Sequence, residues 1–446
     1  MIITKEIYNT YLEILNEELT TAFGCTEPIA IAYCSALARK LLGRLPEHVI
    51  IEASGNIIKN VKSVIVPNTN GLKGIPAAAA AGIVAGQADR ELEVIADVDA
   101  AQKKTIKEFL DTAEFEVKAM EDGDKLDIRI TVESGGDSAV VRISGTHTNV
   151  VYTARNGAAV ECTEETAGEN AFQKGNSGKS TCSNSTSHKS DRKADRSLLT
   201  VENIVAFADK LNPSDVEALL ERQISLNTAI AQEGIRNNWG ANVGSVLLKV
   251  YGEDVRNRAK AMAAAGSDAR MSGCELPVVI NSGSGNQGIT VSLPIIEYAR
   301  EFGKTRDELY RALVVSNLIA IHIKTGIGPL SAFCGAVSAG CAAGCGIAYL
   351  LGGKVREVAH TLVNSLAIVS GIVCDGAKPS CAGKIAASVD AGILGYEMFM
   401  QGQQFYAEEG LVSKGVEATI RNICRLGARG MSETDEEIIR IMTHCD

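Results

Sequence analysis

Four cysteines of this sequence stand in surroundings typical of turns. Cys25 lies in "GCTEP", Cys334 in "PLSAFCG", and Cys374 and Cys381 bound the stretch "CDGAKPSC". A glycine and a proline between the last two predict a turn that can fold both thiols toward one point, as a metal or cluster site requires. Cys381 also begins a predicted helix, where exposed backbone N–H groups stabilise a thiolate. The alternative is that each cysteine is a small buried hydrophobic residue.

A second cysteine pattern follows one face of a predicted helix but does not suit a metal ion. It consists of Cys334, Cys341 and Cys345. Two helical turns separate the first two residues, roughly 10 Å at about 1.5 Å per residue. A single metal with bonds of about 2.3 Å to sulfur cannot reach both. We therefore predict that Cys341 and Cys345 are packing residues.

Two glycine-rich loops are candidates for binding a small ligand. The first, in "VINSGSGNQGI", follows an apolar run and offers backbone N–H groups that suit a carboxylate or phosphate. It lacks both the Walker and the dinucleotide-binding spacing, so a plain tight turn is the alternative. The second, "VPNTNGLKGIP", has the same two interpretations. The candidate residues are Ser282, Gly283, Ser284, Gly285 and Asn286 in the first loop and Asn68 and Thr69 in the second.

One histidine lies in a setting that suggests catalysis. His147, in "SGTHTNV", follows a predicted strand among small polar residues. An imidazole there suits a general base near neutral pH, or a hydrogen-bonded residue at a strand end. The sequence gives no support to a Ser-His-Asp triad, an HExxH metal site or a lysine that binds pyridoxal phosphate (PLP).

The N-terminal residues predict two helices around Cys25. Apolar side chains at helical spacing, from Tyr8 to Leu19, predict a first helix over residues 5–22. Gly24 is placed to close that helix, and Pro28 suits the first turn of a second helix that ends before residue 43. The cysteine therefore stands just before the N-terminus of the second helix, which favours a thiolate.

The residue pattern of the sequence changes from helical spacing to β-branched runs after the first 45 residues. Residues 46–165 contain β-branched runs such as "ELEVIADVD" and "SAVVRISGTHTNVVYTARNG", separated by two helical stretches, and predict a small α/β domain. Residues 166–198 are polar and typical of a flexible linker or loop. Residues 199–446 are helical in pattern nearly throughout. We predict an α+β fold, in which residues 1–45 and 199–446 form a mainly helical catalytic body and the smaller α/β domain is inserted.

Charge and composition limit the partners. A net charge of −10 gives no basic face for nucleic acid or anionic lipid. The first residues, "MIITKEIYNTYLEI", lack the pattern of a secretory signal, so we expect a cytoplasmic protein with reduced cysteines. The uncharged stretch 325–353 is long enough to span a bilayer, but it is rich in Gly, Ala, Ser and Cys. A buried helix with close neighbours fits that composition better, and we expect no membrane partner.

Five motifs, in order, resemble a known family: "GCTEPIAIAY", "SDARMSG", "NSGSGNQGI", "PLSAFCG" and "CDGAKPSCAGKIA". Over almost the whole chain the sequence looks like the L-cysteine desulfidase family, formerly an uncharacterised protein family. The helical part of that family is similar to the α chain of iron–sulfur L-serine dehydratases. The resemblance implies an oxygen-sensitive, PLP-independent lyase that converts L-cysteine to pyruvate, ammonia and hydrogen sulfide. It also implies a [4Fe-4S] cluster bound by Cys334, Cys374 and Cys381, with one iron left open as a Lewis acid.

The same resemblance suggests roles for the remaining candidates. Cys25 is either a fourth cluster ligand that substrate displaces or a thiolate base. Some serine dehydratases place a cysteine at the very C-terminus on the free iron; Cys445 is one residue from the end here, and we treat this likeness as coincidence. The substrate carboxylate is expected to meet the Ser282–Asn286 loop. The other residues expected to approach the substrate are Asn68, Thr69, Lys384 and Arg270.

Two alternatives to a cysteine desulfidase stay open at this stage. The first keeps the cluster and the elimination but takes another β-substituted amino acid, such as L-serine. The second is a non-catalytic protein that binds a metal or a cluster through its cysteines. A small amino acid is the expected partner of the enzyme, and a homodimer is left open.

Overall fold

The fold is α+β, as the sequence predicts. The computed structural model describes residues 3–120, 123–160 and 193–443. Most of the predicted linker 166–198, and Cys445, lie outside the described residues. The strands, in chain order, are β1 (Thr21–Phe23), β2 (His48–Ser54), β3 (Glu114–Met120), β4 (Asp127–Ser134), β5 (Asp137–Ser144), β6 (Val150–Arg155), β7 (Ala158–Ala159) and β8 (Pro277–Val279).

Helices make up most of the remaining described structure. They are α1 (Lys5–Glu18), α2 (Thr26–Leu42), α3 (Gly55–Val61), α4 (Gly74–Ala85), α5 (Ala100–Thr112), α6 (Val201–Lys210), α7 (Glu217–Arg236), α8 (Val243–Tyr251), α9 (Val255–Met271), α10 (Gly285–Glu301), α11 (Arg306–Ile327), α12 (Gly335–Leu350), α13 (Val355–Val369), α14 (Cys381–Met400), α15 (Val416–Arg425) and α16 (Ser432–Thr443). The division of the chain into domains at residues 45, 165 and 198 stays a prediction.

A mixed sheet forms the centre of the α/β part. Its strand order is β3-β2-β4-β5-β6-β7, in which β2 and β3 are parallel and the other neighbours are antiparallel. Because parallel strands need a long crossover, α3, α4 and α5 all lie between β2 and β3 in the chain. Alternate residues of β4, namely Ile128, Ile130 and Val132, are buried, and α2 packs against β4 and β5. The N-terminal helix α2 therefore contacts the sheet directly.

Two local predictions are wrong, and tertiary packing explains both. The first helix ends at Glu18 rather than near residue 22, because residues 21–23 form β1 and pair with β8. The run "ELEVIADVD" is not a strand: it lies in a 3-10 helix over Ala88–Glu93 and the turns that follow. Its Leu92 and Val94 are buried, and the 3-10 helix packs against α2 and β1. Buried apolar residues in a 3-10 helix or a turn can give the same short apolar sequence pattern as a strand.

Helices α12 and α14 cross at very short distance. A Cβ placed on Gly340 would lie 2.4 Å from the carbonyl carbon of Ser388, and one on Gly344 would lie 2.4 Å from the carbonyl oxygen of Gly392. Moving four residues along α12 therefore moves four residues along α14, so the two helices run parallel. Their N-termini consequently lie at the same end, where Cys334 precedes α12 and Cys381 begins α14.

The uncharged segment of residues 325–353 is not a membrane span in this fold. It comprises the end of α11, a connecting loop and α12, whose residues are almost all buried against other helices. Within the described ranges, no helix has the length and apolar character needed to cross a bilayer.

The close crossing yields a stability prediction. Gly344→Ala should lower the free energy of unfolding by about 1–3 kcal/mol, because the added methyl group overlaps the backbone of Gly392. A urea titration followed by far-UV circular dichroism measures this change.

A matched control lies on the same helix pair. Gly383, in the first turn of α14, is exposed, and a Cβ there would meet nothing within 4 Å. Gly383→Ala should therefore leave stability unchanged or raise it by up to about 1 kcal/mol through helix propensity. If Gly344→Ala were as stable as Gly383→Ala, the crossing would not depend on glycine.

Candidate active site

A single cavity of about 1230 Å³ brings together most of the residues singled out in the sequence. It lies between the helical part of the chain and the loops of the sheet. The predicted site residues that line it are Cys25, His147, Ser282, Gly283, Ser284, Asn286, Cys334, Cys374 and Cys381.

Four helices begin at this cavity without a side-chain cap. The capping positions of α2, α10, α12 and α14 are Cys25, Ser284, Cys334 and Ser380, and none of these side chains accepts a hydrogen bond from its own helix. Caps are also absent from helices that begin elsewhere, namely α4, α7, α8 and α15, whereas α1, α5 and α11 have them. The N-terminal turns of the four helices thus direct positive dipole ends toward the cavity, which favours anions and thiolates there.

Backbone pairing holds Cys334 beside Cys374. The N–H of Cys334 donates to the Ile372 carbonyl at 3.1 Å, and the N–H of Cys374 donates to the Ala332 carbonyl at 2.6 Å. The two thiols are hydrogen-bonded to each other in the resulting short antiparallel bridge. Two cysteines that are 40 positions apart in sequence therefore act as one unit.

The charge balance of this pair favours one thiolate. The hydrogen bond from Cys334 lowers the pKa of Cys374 to about 6, and the positive charges of Lys59 and Lys324 act in the same direction. The same hydrogen bond, together with burial, raises the pKa of Cys334. Burial lowers the pKa of Lys324 to about 8, against the attraction of the two cysteines. Both sulfurs thus lie beside buried ammonium groups.

Cys381 faces the same space from the start of α14. Its Sγ lies 3.6 Å from the carbonyl oxygen of Gly376, within the turn that the sequence predicts between Cys374 and Cys381. Gly376 has a φ of +93°, and a Cβ there would lie 2.5 Å from the carbonyl oxygen of Lys59. The turn therefore requires glycine, because any side chain would strain the backbone and collide with α3. Burial raises the pKa of Cys381.

Cys25 lies at the predicted helix junction but is not a thiolate there. Burial raises its pKa well above the usual value, and the negative charge of Glu27 adds to the effect. The thiol donates a hydrogen bond to Glu27 Oε2 at 3.3 Å. The predicted thiolate is thus a neutral thiol, because burial and the adjacent carboxylate outweigh the dipole of α2. Cys25 shares a small apolar cluster with Met271 and Cys381, among others.

His147 reaches the cavity from the loop between β5 and β6. A Cβ on Gly283 would lie 3.2 Å from His147 Cε1, so the imidazole packs over the glycine-rich loop. Its Nε2 is buried and has no hydrogen-bond partner within the described structure. Burial lowers the pKa of His147, with Glu27 opposing and Arg270 reinforcing that shift. The ring is therefore a neutral imidazole with one nitrogen available to accept a proton.

The loop 282–284 is a tight turn that also borders the cavity. Ser282 and Gly283 have φ values of +50° and +73°, and the backbones of Asn281 and Ser284 hydrogen-bond to each other across the turn. The tight turn is confirmed, and ligand binding by this loop stays a prediction. The turn presents the uncapped start of α10 to the cavity.

Four predicted substrate-binding residues do not line the cavity. Asn68 donates its amide to the carbonyls of Ile95 and Ala96 at 2.9 and 2.8 Å, and Thr69 donates to the Val66 carbonyl at 2.6 Å. The Thr69 hydrogen bond lies within its own loop, and the Asn68 hydrogen bonds connect that loop to residues 95 and 96. The other two residues are Gly285, which lies behind the loop, and Lys384, whose ammonium group pairs with Asp375 and donates to the Val373 carbonyl at 2.9 Å.

Sequence reasoning missed Lys59 and Lys324 at the cavity. Both are buried, and Lys59 is held by Asp435 of α16, with 2.5 Å between Nζ and Oδ1. The signal for Lys324 was available, since it interrupts the apolar run "LIAIHIKTG". A charge inside an otherwise buried helix calls for a partner or a function. Lys59 gave no such signal, because α3 has only seven residues and contains both polar and apolar side chains.

The donor set suits a cluster better than a single ion. Among the described residues, no three His, Cys, Asp or Glu side chains are close enough to share one metal ion. A [4Fe-4S] cluster binds each cysteine through a separate iron atom, so its ligands stand farther apart. Three cysteines around one cavity, near buried lysines and helix N-termini, provide the thiolate chemistry that such a group needs.

Comparison with known proteins places the chain in a family. Residues 89–440 match the model of the serine dehydratase alpha chain. A UPF0597 protein of Desulfitobacterium hafniense is 58% identical over 436 residues, which are 98% of this chain and 96% of the relative. A UPF0597 protein of Lachnoclostridium phytofermentans is 47% identical over 98% of this chain and 100% of its own length. One of Treponema denticola is 43% identical over 99% of this chain and 99% of its own length. The chain therefore belongs to the serine dehydratase alpha-chain family.

Proposed function

We propose that this protein is an L-cysteine desulfidase that uses a [4Fe-4S] cluster for β-elimination. The observation that carries the proposal is the convergence of Cys334, Cys374 and Cys381 on one cavity, where they would hold the cluster. When bound, the cluster supplies an open iron that acts as a Lewis acid on the departing sulfur of the substrate. The overall reaction converts L-cysteine and water to pyruvate, ammonia and hydrogen sulfide.

The chain's own charges suit an anionic group at these cysteines. Lys59 and Lys324 are buried beside Cys374, and α12 and α14 direct their N-termini to the same place. Each of these features stabilises thiolates in a region of low dielectric constant. Lys59 is held by the ion pair with Asp435, so its position does not depend on the ligand.

Proton transfer is assigned to His147 and Cys25. The elimination requires loss of the α-proton, departure of the C–S bonding electrons with sulfur, and later hydrolysis of the released aminoacrylate to pyruvate and ammonia. His147 offers an unpaired, buried Nε2, which suits the acceptance of the α-proton. Cys25 is a neutral thiol that carries a proton at the cavity, and we assign to it the proton delivered to the departing sulfide. Glu27 opposes this release by raising the pKa of Cys25, and the charge of Arg270 favours it. The loop 282–286 closes the side of the cavity next to His147.

L-Serine is the second candidate substrate, since the matching family model describes serine dehydratases. The same groups would serve a hydroxyl leaving group. We favour L-cysteine because the five sequence motifs together resemble the desulfidase family. The proposal further includes a cytoplasmic location and a small amino acid rather than nucleic acid or membrane as partner, and it leaves a homodimer open.

Anaerobic purification followed by turnover assays tests the function. The protein should show the broad visible absorption of an iron–sulfur cluster and release equal amounts of sulfide and pyruvate from L-cysteine, with kcat/KM at least about tenfold above that for L-serine. Higher turnover of L-serine would select the second candidate. A colourless protein that releases pyruvate from neither amino acid would end the lyase proposal.

The ligand assignment makes a separate prediction. Cys374→Ala and Cys381→Ala should each lose the visible chromophore and most bound iron, because each removes one of three thiolates. Cys341→Ala is the matched control, because this cysteine is fully buried within α12 and burial raises its pKa to about 12. This variant should keep both the visible chromophore and the bound iron. Iron content and the absorption spectrum provide the measurement; a retained chromophore in Cys374→Ala would refute the assignment.

The role of Cys25 is tested by comparing iron content with rate. If Cys25 transfers protons, Cys25→Ala should keep the chromophore and lower kcat by about 100-fold or more, the usual cost of losing a general acid. Loss of iron together with activity would instead make Cys25 a cluster ligand.

A further inference from the structure

Arg270 carries a buried positive charge that the described structure leaves largely unpaired. It lies in the last turn of α9, is 3% exposed and lines the cavity. Its Nη1 donates to Asn286 Oδ1 at 3.2 Å, whereas Nε and Nη2 are buried and have no partner. Across the described ranges, Arg270 forms no ion pair with a carboxylate. Its guanidinium therefore has two nitrogens free to bind an anion.

Two other arginines that line the same cavity are neutralised. Arg196 pairs with Glu17 and Glu18, with N–O distances of 2.8 and 2.6 Å, and Arg90 pairs with Asp97. Burying a charge without a partner costs several kcal/mol, even after the protein relaxes. A third, Arg222, is exposed and donates to the Leu19 carbonyl at 3.4 Å, so among the arginines of the described cavity lining Arg270 alone is both buried and without a carboxylate partner.

The sequence makes room for this guanidinium at Gly285. A Cβ on Gly285 would lie 2.3 Å from Arg270 Nε and 2.6 Å from its Cζ. Any larger residue at the start of α10 would thus displace the guanidinium. Gly285 lies behind the loop, where it keeps Arg270 next to Asn286 and to the first turn of the helix.

Arg270 also acts on the groups assigned to proton transfer. Its positive charge is among the causes that lower the pKa of His147, and it counteracts the rise in the pKa of Cys25. Lys384, the other cation expected near the substrate, is tied to Asp375 and lies outside the cavity lining. Lys59 and Lys324 are the other buried cations of the cavity, but their charges act on Cys374. Arg270 is the buried cation whose charge acts on both His147 and Cys25.

We propose that Arg270 binds the α-carboxylate of the substrate, with Asn286 and Gly285 as its positioning residues. A guanidinium with two free nitrogens matches the two oxygens of a carboxylate. The site then takes free α-amino acids and rejects their amides, esters and peptide-linked forms, because a neutral group would leave the buried charge unpaired. The inference rests on the proposed function for the chemistry that follows, but carboxylate binding does not require turnover.

Binding of an unreactive amino acid tests the contact between Arg270 and the α-carboxylate, called here the anchor, separately from the reaction. L-Alanine has the α-amino and α-carboxylate groups but no leaving group, and L-alaninamide lacks only the carboxylate charge. With anaerobically purified holoprotein, the dissociation constant for each is measured by calorimetry or by the shift of the unfolding midpoint. Wild type should bind L-alanine roughly 10- to 100-fold more tightly than the amide, the range for hydrogen bonds to a charged group.

Variants separate the anchor from a structural role. Arg270→Gln should weaken L-alanine binding by roughly 10- to 100-fold and leave binding of L-alaninamide within about twofold. Arg270→Lys keeps the positive charge but loses the planar guanidinium that can donate two parallel hydrogen bonds to a carboxylate. Its affinity for L-alanine should therefore lie between those of wild type and Arg270→Gln. Gly285→Ala should weaken L-alanine binding without changing any charge. The control is Arg90→Gln, which makes the same charge change at a partly exposed, paired arginine of the cavity and should bind L-alanine as wild type does.

The outcomes distinguish this inference from the proposed function. Equal wild-type affinity for L-alanine and L-alaninamide, no detectable L-alanine binding, or equal losses for both ligands in Arg270→Gln would overturn the anchor. If the carboxylate preference is present but neither L-cysteine nor L-serine is turned over, the anchor stands and the proposed reaction falls. If L-cysteine is turned over without that preference, the reaction stands and the anchor falls.

Discussion

The parallel contact of α12 with α14 is the constraint on which the site depends. Glycines let the two backbones approach to a distance that no side chain permits, and the parallel direction brings both N-termini to one end. Cys334 and Cys381 follow from that arrangement, since each stands at the start of its helix. Cys374 then joins them through the backbone bridge next to Cys334. The spacing of the three thiols is thus a consequence of helix packing, and small residues in α12 matter for chemistry as well as for stability.

Electrostatics follows from the same packing. Helices that end in a cavity without side-chain caps need other partners for their first N–H groups, and here four helices share one cavity. Lys59, Lys324 and Arg270 add buried cations, only one of which is neutralised by a carboxylate within the described residues. These buried positive charges favour anionic groups such as thiolates nearby. The negative net charge of the whole chain gives no hint of this local field.

Features encoded over short distances could be predicted from the sequence. The α+β class, the helix ending at Gly43, the turn at Gly376 and the cysteines at helix starts all follow from local patterns. Features decided by distant partners could not. The chain near Thr21 becomes a strand because β8 is available, Asn68 turns inward because the carbonyls of residues 95 and 96 need donors, and Lys59 reaches the cavity because α16 supplies Asp435. Such pairings depend on which segments meet, and neither periodicity nor composition records that.

The neutral state of Cys25 shows how two opposing effects divide the cavity. A helix N-terminus stabilises a thiolate by an energy of the order of 1 kcal/mol. Forming a thiolate that is completely buried next to a carboxylate costs several kcal/mol, which is more than the helix supplies. Glu27 therefore keeps the proton on Cys25, and its charge also opposes the lowering of the His147 pKa. Arg270 acts on both residues in the opposite sense. The cavity lining thus includes both a carboxylate, Glu27, and a buried guanidinium without a carboxylate partner, Arg270. The two groups of opposite charge act on the same pair of residues, so the protonation of Cys25 and of His147 depends on the balance between them.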